Sequence, residues 1–387
     1  MALMPKLHDR VLLTLSFVGF AVVFSGGFLN DAQNRLAKGV AYSLFQAPAY
    51  EAAAAMAGLC GLALASFVWG ERHRAFATIL AAALILWGSL AGAGHFAAIL
   101  MQAGTPAART SLGLTFWILA SVAILAIVDA VQRGNFGFPA RVCIGAAFCA
   151  GFLAMAAAGD FDHLALAREF SNIKGIFASE LWRHLGLVGA AVIAALMIGA
   201  PLTVLVLRKK AMAGFVFASL GIVQTIPSIA LFGVLIAPMT KLSEELPLLR
   251  ELGINGTGPA PAILALTLYS LLPLVRSFHT GLSEVALEVK DAATAIGFDA
   301  RQMFIAVELP LALPALLSGL RVVTIQAIGL ASVAALIGAG GLGTFIFQGI
   351  GQYALDLVLM GALPVILLAL LANFVFETLL GLARRNL

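Results

Sequence analysis

Few residues in this chain have the types and spacing that chemistry needs. The six histidines and three cysteines (Cys60, Cys143 and Cys149) show no zinc or redox spacing. All three cysteines lie inside apolar runs, where packed, inert thiols are expected. No phosphate-binding G-x-x-x-x-G-K-S/T loop occurs, which excludes ATP hydrolysis by that machinery. Three other patterns carry the chemical interest. Gly281 to Pro310, GLSEVALEVKDAATAIGFDARQMFIAVELP, is the only long charged, helix-forming segment in an apolar second half. Gln224, Thr225, Pro227 and Ser228 form the densest polar cluster inside any apolar run. The third is a glycine-rich run containing Gly338, Gly340, Gly341 and Gly343. Such groups suit docking, lining a polar path and turning the chain, not covalent or acid–base catalysis.

Each pattern needs elements to position it. Leu282, Val285, Ala286, Val289, Ala292, Ala293 and Ile296 fall on one helix face, with Ser283, Glu284, Glu288, Lys290, Asp291 and Thr294 on the others. Sixteen residues give a rod of roughly 24 Å, too polar to cross a membrane. Gly297 is the expected C-cap, and Asp299 with Gln302 the expected capping box of a second helix that Leu309-Pro310 ends. The segment reads as helix, glycine hinge, helix at a membrane surface. Pro227 is expected to kink its span and free carbonyls beside Gln224, Thr225 and Ser228, although buried polar groups also serve as helix–helix glue. Gln326, Ser332 and Asn373 are lesser pathway candidates. Gly338 to Gly343 lies outside any strand–helix unit and is expected to be a tight turn.

Composition sets the fold class. The 387 residues are 61% hydrophobic and 11% charged, with mean hydropathy +1.03, whereas soluble domains carry about 25% charged residues. An all-α integral membrane protein is expected. Ten apolar runs are long enough to span, at roughly 11–29, 51–69, 76–101, 111–131, 140–158, 185–207, 211–238, 260–276, 311–337 and 355–382. The first resembles a signal peptide but lacks an A-x-A-like site, so an uncleaved span is expected. With both termini in the cytoplasm, 14 basic residues fall in cytoplasmic segments and 8 opposite, as the positive-inside rule favours. The segment 281–310 is then cytoplasmic and the glycine run is not. The dispersed net charge of +4 needs no nucleic-acid partner. Ten of the fourteen prolines lie beyond residue 184. The expected organisation is a five-span module (1–158), a non-cytoplasmic linker (159–184) and a kinked five-span core (185–387). Arg321 is expected to sit at the inner end of its span with Glu308 as partner. His95, Asp129 and Glu377 are expected to snorkel at interfaces.

These residues carry a resemblance. Asp291-Ala292-Ala293, three residues, Gly297, nine residues, then Val307-Glu308-Leu309-Pro310 resembles the EAA loop of ABC-importer permeases, with Asp for Glu and Val for Ile. Gln224 to Phe232, Leu268 to Arg276, Val307 to Pro314 and Ile337 to Gly343 resemble the permeases for glycine betaine, choline and related osmoprotectants. The likeness covers residues 184–387, and the five-span extension looks like the long permease of Yeh-type betaine systems. The resemblance implies a type I importer core at the inner membrane, with residues 281–310 coupled to a separate cytoplasmic ATPase through Asp291, Ala292, Ala293, Gly297, Leu309 and Pro310. It also implies a second permease subunit, identical or different, and a periplasmic binding protein. ATP would be used by the partner, with no cofactor bound here, and the glycine run would re-enter at the outer mouth. The alternative is an ion-driven secondary transporter of a small amine or amino acid. That reading predicts inverted repeats and a midplane carboxylate, and neither is visible in the sequence.

Overall fold

The structure is a computed structural model that describes residues 8–34, 37–103, 108–251 and 253–385. It divides into two compact units between Asn172 and Ile173, within the segment 159–184. Apolar spans must satisfy their own backbone groups, so almost every long element is a helix.

The first unit contains α1 (Arg10–Ser25), β1 (Leu29–Ala32), β2 (Val40–Tyr42), α2 (Ala49–Ala65), α3 (Glu71–Ala103), β3 (Arg109–Leu112), α4 (Leu114–Arg133), α5 (Phe138–Ala158) and the start of α6 (Ala165–Arg208). Small residues let α2 and α3 approach closely. A Cβ on Gly58 would stand 2.6 Å from the Ala81 carbonyl oxygen, and one on Gly88 would stand 2.9 Å from the Ala55 nitrogen. Leu12, Phe28, Leu59, Leu62, Ile85 and Leu119 fill the core. The strands form one antiparallel sheet in the order β2-β1-β3, an addition to the all-α expectation. Strands of three or four residues are too short to show an alternating pattern in sequence.

Charges inside this unit are paired. Asp9 is buried; its carboxylate accepts from the Val11 amide at 2.9 Å and lies 3.1 Å from Arg133 Nη1. Arg133 also bonds Asp129 at 2.7 Å, so Asp129 belongs to an ion-pair chain. His95 does not simply snorkel, because its Nδ1 lies 2.5 Å from Oε1 of buried Glu51. The cysteines correct another expectation. Cys60, Cys143 and Cys149 are all exposed on their helices, since a thiol is apolar enough to face lipid as readily as a core.

The second unit holds the rest of α6, which has a non-helical kink at Ile173 (φ −119°, ψ 17°). It continues with α7 (Lys210–Thr225), α8 (Ser228–Glu245), α9 (Pro247–Glu251), α10 (Pro259–Ser283), α11 (Leu287–Ala295) and α12 (Ala300–Gln302). A π-helical turn (Met303–Glu308) leads into α13 (Leu309–Val333), a 3-10 turn (Ala334–Ile337), α14 (Gly343–Gly351) and α15 (Leu355–Arg385). The core forms around α10 and α13, where Ala265, Leu266, Ala327 and Ala331 meet Ala191 of α6 and Phe232 of α8.

Among the described residues, seven helices are long and apolar enough to cross a membrane, and the bent pair α7–α8 makes an eighth crossing if counted as one. Two shorter apolar helices, α1 and α2, complete the set, so each of the ten apolar runs lies on a helix or helix pair.

Candidate functional site

The charged segment is shorter and more tightly bound than its periodicity implies. Helix α10 runs on to Ser283, the chain turns at Ala286 (ψ 137°), and α11 has nine residues rather than sixteen. The expected face is therefore split. Val285 and Ala293 are buried, while Leu287, Val289 and Ile296 are exposed beside Glu284, Glu288 and Asp291. Ala292 points outward and Ala293 inward, so only the first is available to a partner. The end of α11 is a Schellman motif: the Gly297 amide donates to Thr294 O at 3.0 Å and Phe298 N to Ala293 O at 3.1 Å. Gly297 has φ +95°, and nothing lies within 4 Å of where its Cβ would stand. The glycine therefore serves the backbone angle and not a close approach. Asp299 and Gln302 form the capping box, with Gln302 N donating to Asp299 Oδ1 at 2.7 Å and Asp299 N to Gln302 Oε1 at 2.9 Å.

Leu309-Pro310 does not end the second helix. The Leu309 amide donates to Phe304 O, five residues back, and the helix passes through Pro310 into α13. Proline has no amide to give to the preceding turn, and the wider π turn accommodates that loss. Glu308, expected to partner Arg321, instead bonds Lys290 at 2.8 Å and so ties α11 to the π turn. Arg321 meets Glu377 of α15 at 3.7 Å. Sequence spacing alone could not tell which carboxylate each cation would reach.

At the polar cluster, Pro227 breaks the span outright, and α7 and α8 meet at 101°. A reciprocal pair ties the end of α7 to α10. Gln224 Nε2 donates to Tyr269 O at 2.9 Å, and the Tyr269 hydroxyl donates back to Ile226 O. The Thr225 hydroxyl bonds its own helix at Ile222 O. Ser228 opens α8 and Gln326 is half-buried on α13. Tyr269 is not among the residues the sequence pattern points to, although a tyrosine inside an apolar span signals a hydroxyl that must find a partner.

The glycine run is a turn set by backbone angles. Gly338, Gly340 and Gly341 have φ +79°, +75° and +85°. A Cβ on Gly343 would collide with the Ser332 carbonyl of α13. The turn is gripped by α6: the Gly341 amide donates to Glu180 Oε2, and Phe177 stacks on Phe345 of α14 at 5.9 Å. Buried His184 places Nε2 3.1 Å from Ile328 O. The sequence places Glu180 and His184 in the segment 159–184 without a role, since their partners lie 161 and 144 residues away.

An apolar bundle built round broken helices, with an exposed acidic helix between two spans, has the build of a membrane transport subunit. Residues 191–385 match the family described as "Binding-protein-dependent transport system inner membrane component", and the chain belongs to that family. Residues 9–167 match the N-terminal domain of the ABC transporter permease YehY. The osmoprotectant import permease protein OsmW of Salmonella typhimurium is 40% identical over 53% of this chain and 90% of that protein. The choline transport system permease protein OpuBB of Bacillus subtilis is 36% identical over 54% and 87%. A solved inward-facing methionine ABC transporter matches with a TM-score of 0.47 and 22% identity, over 55% of this chain and 98% of that one.

Proposed function

We propose that this chain is the permease subunit of an ATP-driven importer for glycine betaine or a related quaternary-amine osmoprotectant. The observation that carries the coupling is α11, a short, rigidly capped helix between two spans that exposes Leu287, Ile296 and Asp291. Exposed apolar side chains ringed by carboxylates suit a protein groove with basic rims, whereas lipid-binding helices are rich in Lys and Arg. In this reading both termini and α11 are cytoplasmic. A separate ATPase binds and hydrolyses ATP, and its closure moves α11. A second permease subunit completes the pathway, with the α7–α8 break (Gln224, Thr225, Pro227, Ser228) and Gln326 along it. A periplasmic binding protein supplies the substrate. The printed names of the relatives support the substrate class. The division near Asn172 supports an N-terminal module separate from the permease core.

The test is uptake of labelled betaine into proteoliposomes, with and without the ATPase and binding protein. Uptake is expected only with both partners and ATP; ATP-independent uptake would overturn the reading. Asp291→Lys is expected to lower substrate-stimulated ATP hydrolysis by about tenfold or more, as loss of a charge pair at a docking face does. Unchanged stimulation in an assembled complex would remove α11 from the coupling role.

A further inference from the structure

We infer that one face of α6 (Phe177, Glu180 and His184) is a latch on the glycine turn that opens and closes with each transport cycle, and that Glu180 is its positioning residue. The inference rests on the importer reading above and on the topology that puts this turn on the non-cytoplasmic side.

The three residues stand at i, i+3 and i+7, one stripe of a helix. They reach three different segments. Phe177 stacks on Phe345 of α14, the Glu180 carboxylate accepts from the Gly341 amide, and His184 bonds Ile328 O of α13. Arg183 lies alongside, with its Cδ and Nε 2.7 Å from where a Cβ on Gly340 would stand. Both glycines have positive φ, so no other residue takes their place without strain.

Four features fit a contact that is broken and remade rather than a permanent strut. Glu180 is only half-buried and Arg183 is exposed, so water can replace the bond to Gly341 when it opens. Turn residues free of Cβ atoms change backbone angles cheaply. α6 carries its own hinge one turn before the latch, at the non-helical Ile173. His184 is fully buried, yet its Nδ1 has no hydrogen-bond partner among the described residues and lies 3.1 Å from the Cβ position of Gly341. An unpaired buried nitrogen disfavours the arrangement that leaves it so, and movement of the turn would relieve it. A latch of this kind restrains ATP turnover until the loaded binding protein arrives.

The experiment uses the full transporter in proteoliposomes, with spin labels on cysteines introduced at exposed Ile176 and Ile350 and the native cysteines replaced. The parent is expected to show two label distances whose proportions change with ATP. Glu180→Ala should shift that proportion toward the longer distance by about tenfold, the weight of one hydrogen bond to a charged group. It should raise ATP hydrolysis without loaded binding protein by a similar factor. Glu180→Gln, which keeps an acceptor oxygen, should restore most of the restraint. One unchanging distance in every state would overturn the latch, as would an alanine variant that loses uptake only in proportion to lost complex. If the parent shows no ATP-driven uptake, the importer reading fails first; the distances still decide whether the turn opens.

Discussion

α13 joins two ends of contrasting construction. At its first end it rises from a π turn that an ion pair ties to α11, and apolar side chains there are left exposed. At its last end it closes through a 3-10 turn, whose Ile337 O accepts from Gly258 N before α10 at 2.8 Å, into glycines held by α6 through the Gly341 amide. With 25 residues α13 is roughly 37 Å long, enough to cross the hydrocarbon core. The last end is closed by contacts within the chain; the first, in the coupling role proposed above, is the open end that a partner covers. In that role a rigid rod would carry a push at the open end to the closed one.

The glycines give the sharpest way to break this comparison. At the closed end Gly343 is required by contact, because a Cβ there would overlap the Ser332 carbonyl. Gly343→Val should destabilise the purified protein by about 3 kcal/mol or more, since neither backbone can withdraw. Thermal unfolding in detergent reads this directly, and a melting temperature equal to that of the parent would mean that α13 and α14 are not packed as described. At the open end Gly297 has empty space around it and only a positive φ to satisfy. Gly297→Ala should therefore cost about 1–2 kcal/mol, the left-handed penalty alone. Uptake should fall more than thermal stability does, because the cost is local to α11. A loss as large as at Gly343 would show that α11 is a structural strut.

How much of this was legible in the sequence follows from the range of the forces involved. The ten apolar runs could be read because a backbone in lipid must close its own hydrogen bonds, which makes length and hydropathy sufficient. The Asp299–Gln302 box and the cap at Gly297 could be read because caps are local. At Pro227 the sequence predicts only a kink: the 101° break comes with an anchor for the end of α7, Tyr269, some forty residues away, which bonds both Gln224 and Ile226. Glu308 meets Lys290 rather than the expected Arg321 because Lys290 comes within reach only after α11 folds back on the π turn. The grip of α6 on the glycine turn was invisible for the same reason. It joins residues 161 positions apart, and nothing in the polarity of Glu180 names Gly341.

The smallest effect belongs to the Lys290–Glu308 pair. At 2.8 Å, with side chains 25% and 23% exposed, it is neither a free surface pair nor a dry one. Solvent screening keeps such pairs near the surface value, so a double-mutant cycle with Lys290→Met and Glu308→Gln should give a coupling of about 0.5–1 kcal/mol in low salt. Raising the ionic strength to about 1 M shortens the Debye length to about 3 Å and should remove much of it. The pair's importance lies in direction more than in strength: it is a side-chain bond joining α11 to the π turn that leads into α13, so its loss should let the helix rock before the rod moves. Stimulated ATP hydrolysis should then persist while transport per ATP falls. If the two instead decline together, the Schellman and capping-box bonds alone carry the motion, and the open end is held as firmly as the closed one.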